Sequence, residues 1–168
     1  MRDYRISPDG LQLRFKLSGK SVGEVAKTTG IRPDIIEYML TGEVEPSEVQ
    51  TRLLVDALGV RVGDILQVRL GDLLDLLTEH GVESAHVRGA IAEGVDAPMD
   101  EVELVIAGGA TGLAHFGLIN DIETVLATPV TAISPEMVDD GERFLELVRR
   151  REQLTGSRHL HADVGPPR

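Results

Sequence analysis

The segment Gly19–Gly42, GKSVGEVAKTTGIRPDIIEYMLTG, decides how the first half of the chain folds. Ser21 can cap a helix, and Glu24, three residues on, can reach back to complete a capping box. Val22, Val25 and Ala26 then share one helical face. Gly30 suits the left-handed residue that stops a helix, because it carries no Cβ. Pro33 belongs in the first turn of the next helix, where its missing N–H costs nothing. Ile35, Ile36, Met39 and Leu40 give that second helix a buried face, and Gly42 closes it. Two short helices joined by so tight a turn form a helix-turn-helix. With the four apolar residues inward, Arg32, Asp34, Glu37, Tyr38 and Thr41 face outward.

Outward from this segment, residues 1–6 are expected to form an arm. Ser7-Pro8-Asp9 reads as a helix start. Leu11, Leu13, Phe15 and Leu17 alternate with polar residues, a strand period, yet they also form two i, i+4 helical pairs. On the other side, Pro46 opens a fourth helix with Val49, Leu53, Leu54, Ala57 and Leu58 inward and Gly59 at its end. Val60–Leu66 is expected as a short fifth helix. The join near Gln67–Leu70 is short and carries no Pro- or Ser-rich linker, so the two halves should hold a fixed angle.

The second half alternates in type. Gly71–His80 is an amphipathic helix presenting Leu73, Leu74, Leu76 and Leu77, and Ser84–Arg88 a strand. A glycine-containing turn follows over Gly89–Met99. Glu101–Ile106 is a strand with Val102, Leu104 and Ile106 on one face. Leu113–Ala127 is a helix, Pro129–Ile133 a third strand, and Ser134-Pro135 starts a long last helix to about Leu154. The fold class is therefore α+β overall: a five-helix all-α unit over residues 1–68, then a small α/β unit over 69–155 with a mixed sheet of three or more strands. Residues 156–168 read as a flexible tail.

A chain of 168 residues suits one domain or two small ones, at about 100–200 residues each. Hydrophobic residues make up 42% and aromatics only 3%, so Leu, Val, Ile and Ala must fill the core. With no cysteine, disulfides and thiolate metal sites are excluded, which fits a reducing compartment. No apolar run approaches the roughly 20 residues of a membrane span, and MRDYRISPDG is too polar for a signal peptide. The expected location is cytoplasmic, without membrane contact. The net charge of −11 is uneven: residues 1–68 hold nine Lys/Arg against ten Asp/Glu, and residues 69–168 hold eight against eighteen. Phosphate affinity depends on local Lys and Arg, so any DNA contact falls to the first half.

Leu11 to Leu66, chiefly SVGEVAKTTGI and LLVDALGV, resembles the lambda-repressor/Cro-like DNA-binding domain. The resemblance implies that Leu11–Leu17 is helical and that the segment from about Arg32 to Thr41 is the recognition helix. Arg32 would read guanine or pair with phosphate, and Tyr38 would bond phosphate. Asp34 and Glu37 would accept from cytosine or else repel the backbone, and Lys20, Lys27 and Thr28 would flank the site. Such domains usually act as pairs on two half-sites, so a homodimer on double-stranded DNA is expected.

Residues 71–154, through HVRGAIAEGVDAPMDEVELVI and PVTAISPEMV, look like the minimal nucleotidyltransferase fold. In active members a Gly-Ser turn holds phosphates, the next strand carries Asp-x-Asp, and a later strand supplies a third carboxylate. These oxygens hold Mg²⁺, a hard cation that tolerates little error around ~2.0–2.1 Å. Here Gly89 and Gly94 remain, but the Ser position is Ala90, the aspartate positions are Glu101 and Glu103, and the third is Thr131. The resemblance thus implies a scaffold without catalysis, with no cofactor and no metal.

The other candidates carry less. Arg149-Arg150-Arg151 suits the last turn of a helix, where cations offset the dipole. His159 and His161 are two ligands without a third. His80, His86 and His115 are scattered, and Ala107-Gly108-Gly109 lacks the Lys of a phosphate-binding loop. The expected function is a sequence-specific DNA-binding regulator, in one version an antitoxin whose acidic half masks a basic toxin. The alternatives are a Mg²⁺-dependent nucleotidyltransferase using Glu101 and Glu103, and an interaction scaffold with neither activity.

Overall fold

A computed structural model describes residues 4–109, 113–138, 144–149 and 161–163. The protein is α+β: among the described residues, seven α-helices and one mixed sheet. Four helices come first: α1 (Pro8–Ser18), α2 (Val22–Thr29), α3 (Pro33–Thr41) and α4 (Glu48–Leu58). The long α5 (Val62–Glu79) leads into β1 (Val82–Arg88), the short α6 (Gly89–Glu93) and β2 (Val102–Gly108). Next come α7 (Leu113–Leu126), β3 (Val130–Ile133), a 3-10 turn at Pro135–Met137, β4 (Phe144–Arg149) and β5 (His161–Asp163).

Local chemistry sets the first helix ends. The Ser7 hydroxyl accepts from the Gly10 N–H, and Ser21 with Glu24 forms a complete capping box. Ser47 and Gln50 form a second one, which no expectation included. Gly30 stops α2 at φ 74°, where a Cβ would be strained. Ile36 and Met39 on α3 are buried, together with Leu11, Val25, Ala26, Leu54, Val55 and Leu58, in one core. The first half thus closes around helices α1 to α4.

Several expectations are corrected. Tyr4–Ile6 is not a loose arm: Ile6 is buried, and the Tyr4 hydroxyl donates to the Ala127 carbonyl at 2.6 Å. On α4 the buried stripe is Thr51, Leu54, Val55 and Leu58, spaced i, i+3, i+4, i+7. Val49 and Leu53 fall off it and are 67% and 42% exposed. The expected fifth helix and the helix at 71–80 are one element, α5, and the expected join at 67–70 lies in its interior. A continuous stripe of Val62, Leu66, Leu73 and Leu77, completed by Leu70, carries the helix across that point. Each such fully buried Leu contributes about 1.5–3 kcal/mol.

The sheet runs β3-β2-β1-β4-β5, with β2 and β3 parallel and the other neighbours antiparallel. Among the described residues the expected last helix does not form. Its first residues form the 3-10 turn, and Phe144–Arg149 is a strand pairing with β1, Val87 opposite Leu145. FLELV satisfies a strand period as well as a helical one, and β1 offers it a partner edge. Three residues of the expected flexible tail, His161–Asp163, pair with β4. Arg149 therefore ends a strand rather than a helix, while Arg150, Arg151 and His159 lie outside the described residues.

Polar clasps join the halves. The Asp96 carboxylate, 6% exposed by residue, accepts the Gly63 N–H at 2.7 Å and pairs with Arg61, whose Nη2 also donates to the Gly94 carbonyl. It caps α5 from thirty-three residues away. Buried Arg14 donates through Nη1 to the carbonyls of Val60 (3.1 Å) and Pro98 (3.2 Å). Met99 packs on the core of the first half.

Asp96→Ala removes the acceptor of a charged pair and of a helix cap. It should lower the unfolding free energy by about 2–3 kcal/mol, measured by urea denaturation at constant slope. Burial pushes the Tyr4 phenol above its usual value of about 10, more than nearby Arg14 lowers it. The folded value is the higher one, so its contribution is full below pH ~10 and is lost as pH rises through the folded value. Of the two tyrosines, Tyr38→Phe leaves Tyr4 alone. Its phenolate absorbance should then appear above pH ~10, and stability should fall with it.

Candidate nucleic-acid interface and nucleotide site

The turn from α2 to α3 is three residues, Gly30 to Arg32. Arg32 is the N-cap of α3 and Pro33 its first residue. With Ile36 and Met39 buried and Ile35 and Leu40 half-buried, α3 leaves Arg32, Glu37, Tyr38 and Thr41 exposed, and Asp34 half-exposed. These side chains are partly committed to one another. Arg32 donates from Nε to Asp34 Oδ1 (3.1 Å) and from Nη2 to Oδ2 (2.5 Å), a bidentate pair. The Thr41 hydroxyl bonds both the Tyr38 carbonyl and the Glu43 carboxylate at 3.1 Å.

The flanking residues fare unequally. Lys20 Nζ donates to the Ala57 carbonyl at 2.5 Å, at the C-terminal end of α4, where a cation suits the helix dipole. The Thr28 hydroxyl bonds back to the Glu24 carbonyl at 3.1 Å. Lys27 is exposed on the last turn of α2. Glu45 beyond α3 is paired with Arg5. The face is therefore mixed in charge rather than basic.

The second set converges. Arg88 ends β1 and precedes Gly89, which starts α6 at φ 68°. Strand register places Arg88 opposite Glu103, and Glu103 opposite Thr131. Arg88 Nε lies 3.1 Å from Glu103 Oε2. The Thr131 hydroxyl donates to Glu101 Oε2 at 3.0 Å. A Cβ on Gly89 would stand 2.6 Å from Glu103 Oε1, so glycine is needed there for space and for its positive φ. Gly94 closes α6 at φ 74°. Gly89, Ala90, Glu101, Glu103 and Thr131 are thus gathered by one strand pair and one turn. Glu101 precedes β2 rather than lying within it.

This donor set does not fit a Mg²⁺ ion. One carboxylate is held by a guanidinium and the other by a hydroxyl, and the third position is a threonine. Among the described residues no three His, Asp or Glu side chains gather in metal-binding geometry. Nor does any helix there have the length and apolarity to cross a membrane. A cleft of about 590 Å³ between the halves is lined by Tyr4, Arg5, Asp9, Glu45 and Glu123 among others. Its carboxylates outnumber Arg5, which is already paired with Glu45, so it does not suit a phosphate.

Arg14, Arg61 and Asp96 were invisible as partners in the sequence. Arg14 sits inside an alternating stretch, and nothing local marks a partner 84 residues away. The Asp-Ala-Pro at 96–98 gave only a turn signal. No protein-family model matches the chain, and neither curated proteins nor solved structures include a significant match to it.

Gly89→Ala should destabilise the protein by about 1–2 kcal/mol through left-handed strain alone. Adding Glu103→Ala removes the crowded carboxylate but not the strain, so the double variant should not recover the wild-type thermal midpoint.

Proposed function

We propose that the chain is a sequence-specific DNA-binding transcriptional regulator. In this reading residues 19–42 are a lambda-repressor/Cro-like helix-turn-helix, and the sheet-bearing half is a nucleotidyltransferase-like unit without catalysis that serves dimerisation or partner binding. The observation that carries it is the α2–turn–α3 pair, fixed by its capping box and Gly30 stop, whose second helix keeps an exposed polar face with an arginine at its start. The succession α5, β1, α6, β2, α7, β3, with the sheet order β3-β2-β1, supports the second assignment. The Arg88–Glu103 and Thr131–Glu101 contacts support the loss of chemistry, because they occupy the oxygens a metal would need. An antitoxin role follows from charge: the acidic second half complements a basic protein.

Binding is expected from two copies on half-sites about one helical turn apart. A gel shift with the DNA upstream of the chain's own gene tests the reading. The complex should form at low salt and weaken as salt rises. Arg32→Ala should weaken it by about 1–3 kcal/mol. Absence of any shift at low salt overturns the proposal in favour of a scaffold.

A further inference from the structure

Asp34 looks like an obstacle on a DNA-facing helix, since a carboxylate repels phosphates. Its geometry says otherwise. A guanidinium carries five N–H donors in a flat fork. Asp34 takes the side edge, one donor from Nε and one from Nη2. Two donors on Nη1 and one on Nη2 remain, and one from each nitrogen forms the end edge. Among the described residues no other group takes that edge, and the Arg32 side chain is 76% exposed. Two parallel N–H groups at this spacing match guanine, whose O6 and N7 both accept in the major groove. Adenine offers a donor in place of O6, and neither pyrimidine presents two such acceptors.

The pair also changes what Arg32 can do. A lone arginine at a helix start is long and mobile, and it would meet phosphate as readily as base. Held by two bonds, its plane is fixed relative to α3, and its charge is offset by the carboxylate. Offset charge weakens a sequence-blind phosphate contact but leaves the directional fork intact.

Resting on the regulator reading, we infer that Asp34 is a positioning residue that presents Arg32 for guanine, so that each half-site carries one required G·C pair beneath the start of α3. Asp34 touches no base in this arrangement. Arg32 is the specificity-determining group.

The test is selection of the full-length protein on a library of randomised DNA duplexes, followed by affinities for the selected duplex and for each single-base change of it. The wild type should select a motif with one nearly invariant G per half-site. Arg32→Lys keeps the charge and loses the fork, so preference for that G should fall by about 5- to 150-fold with the other positions unchanged. Asp34→Ala should show a split: weaker discrimination at the same G, but tighter binding to unrelated duplex and a steeper salt dependence, because the arginine charge is uncovered. A merely structural role for Asp34 would lower both affinities together. Circular dichroism and the thermal midpoint of both variants check folding, and Asp34→Glu provides a conservative rescue. If the wild type selects a motif that Arg32→Lys or Asp34→Ala selects with equal base preferences, this inference is overturned and the regulator reading stands. If the wild type binds all duplexes alike, or none, both are overturned together.

Discussion

Burying a carboxylate is costly unless donors meet it, and Asp96 finds them on the other half of the chain. Its oxygens accept from the start of α5 and from Arg61, while its own loop supplies carbonyls to Arg61 and Arg14. The loop that connects α6 to β2 is therefore held by α1 and α5 as well as by the sheet it serves. Removing its donors would leave the buried Asp96 carboxylate unpaired, which costs more than any one bond contributes. Tyr4 adds a second tie, to the end of α7. These contacts, with the unbroken α5, make the relation between the helical half and the sheet a property of the folded chain rather than of a linker.

Interactions local in sequence were legible, and those that depend on distant partners were not. Ser21, Glu24, Gly30, Pro33 and Gly42 act within four residues of themselves, and the α2–α3 pair follows from them. The inward face of β2 was equally plain, because Val102, Leu104 and Ile106 alternate. On α4, hydrophobic residues occupy more than one face, and only the neighbouring helices decide that Leu54 and Val55 are buried while Val49 and Leu53 are not. The join expected at 67–70 is overridden by the Leu stripe that runs through α5. Phe144–Arg149 failed for a deeper reason: a short apolar run with both periods takes its structure from the edge available to it, and β1 was that edge. The positions Glu101, Glu103 and Thr131 were found by resemblance, but Arg88, the mate of Glu103, comes from strand register.

The electrostatics of the first half bear on the proposed contact with DNA. Nine Lys/Arg against ten Asp/Glu give no general attraction to phosphate. Of the flanking groups, Lys20 already bonds α4, and Arg5 already pairs with Glu45. A single copy therefore has a small sequence-blind affinity. The proposed regulator would therefore need two copies acting together, since linking two weak sites on one duplex multiplies affinity without any new contact. The acidic second half adds repulsion at long range, which salt screens beyond about 8–10 Å.

The cluster of Arg88, Glu101, Glu103 and Thr131 shows how two acids are met from within the chain. Mg²⁺ holds carboxylates that would otherwise repel one another. Once the third oxygen ligand is a threonine, the remaining two acids need other company. Here Thr131 donates to Glu101, and Arg88 lies against Glu103, a cation from the chain itself standing where a dissolved cation would be recruited. The substitution is self-reinforcing. A guanidinium fixed by covalent connection is present at an effective concentration that free Mg²⁺ does not reach, and it presents N–H donors instead of an open coordination sphere. Replacing Glu101 and Glu103 with aspartate would therefore not create a metal site. The shorter acids would still face Arg88, and the third position would still offer a hydroxyl. Arg88 and Thr131 would both have to change before three acidic ligands and an open coordination sphere could be present together.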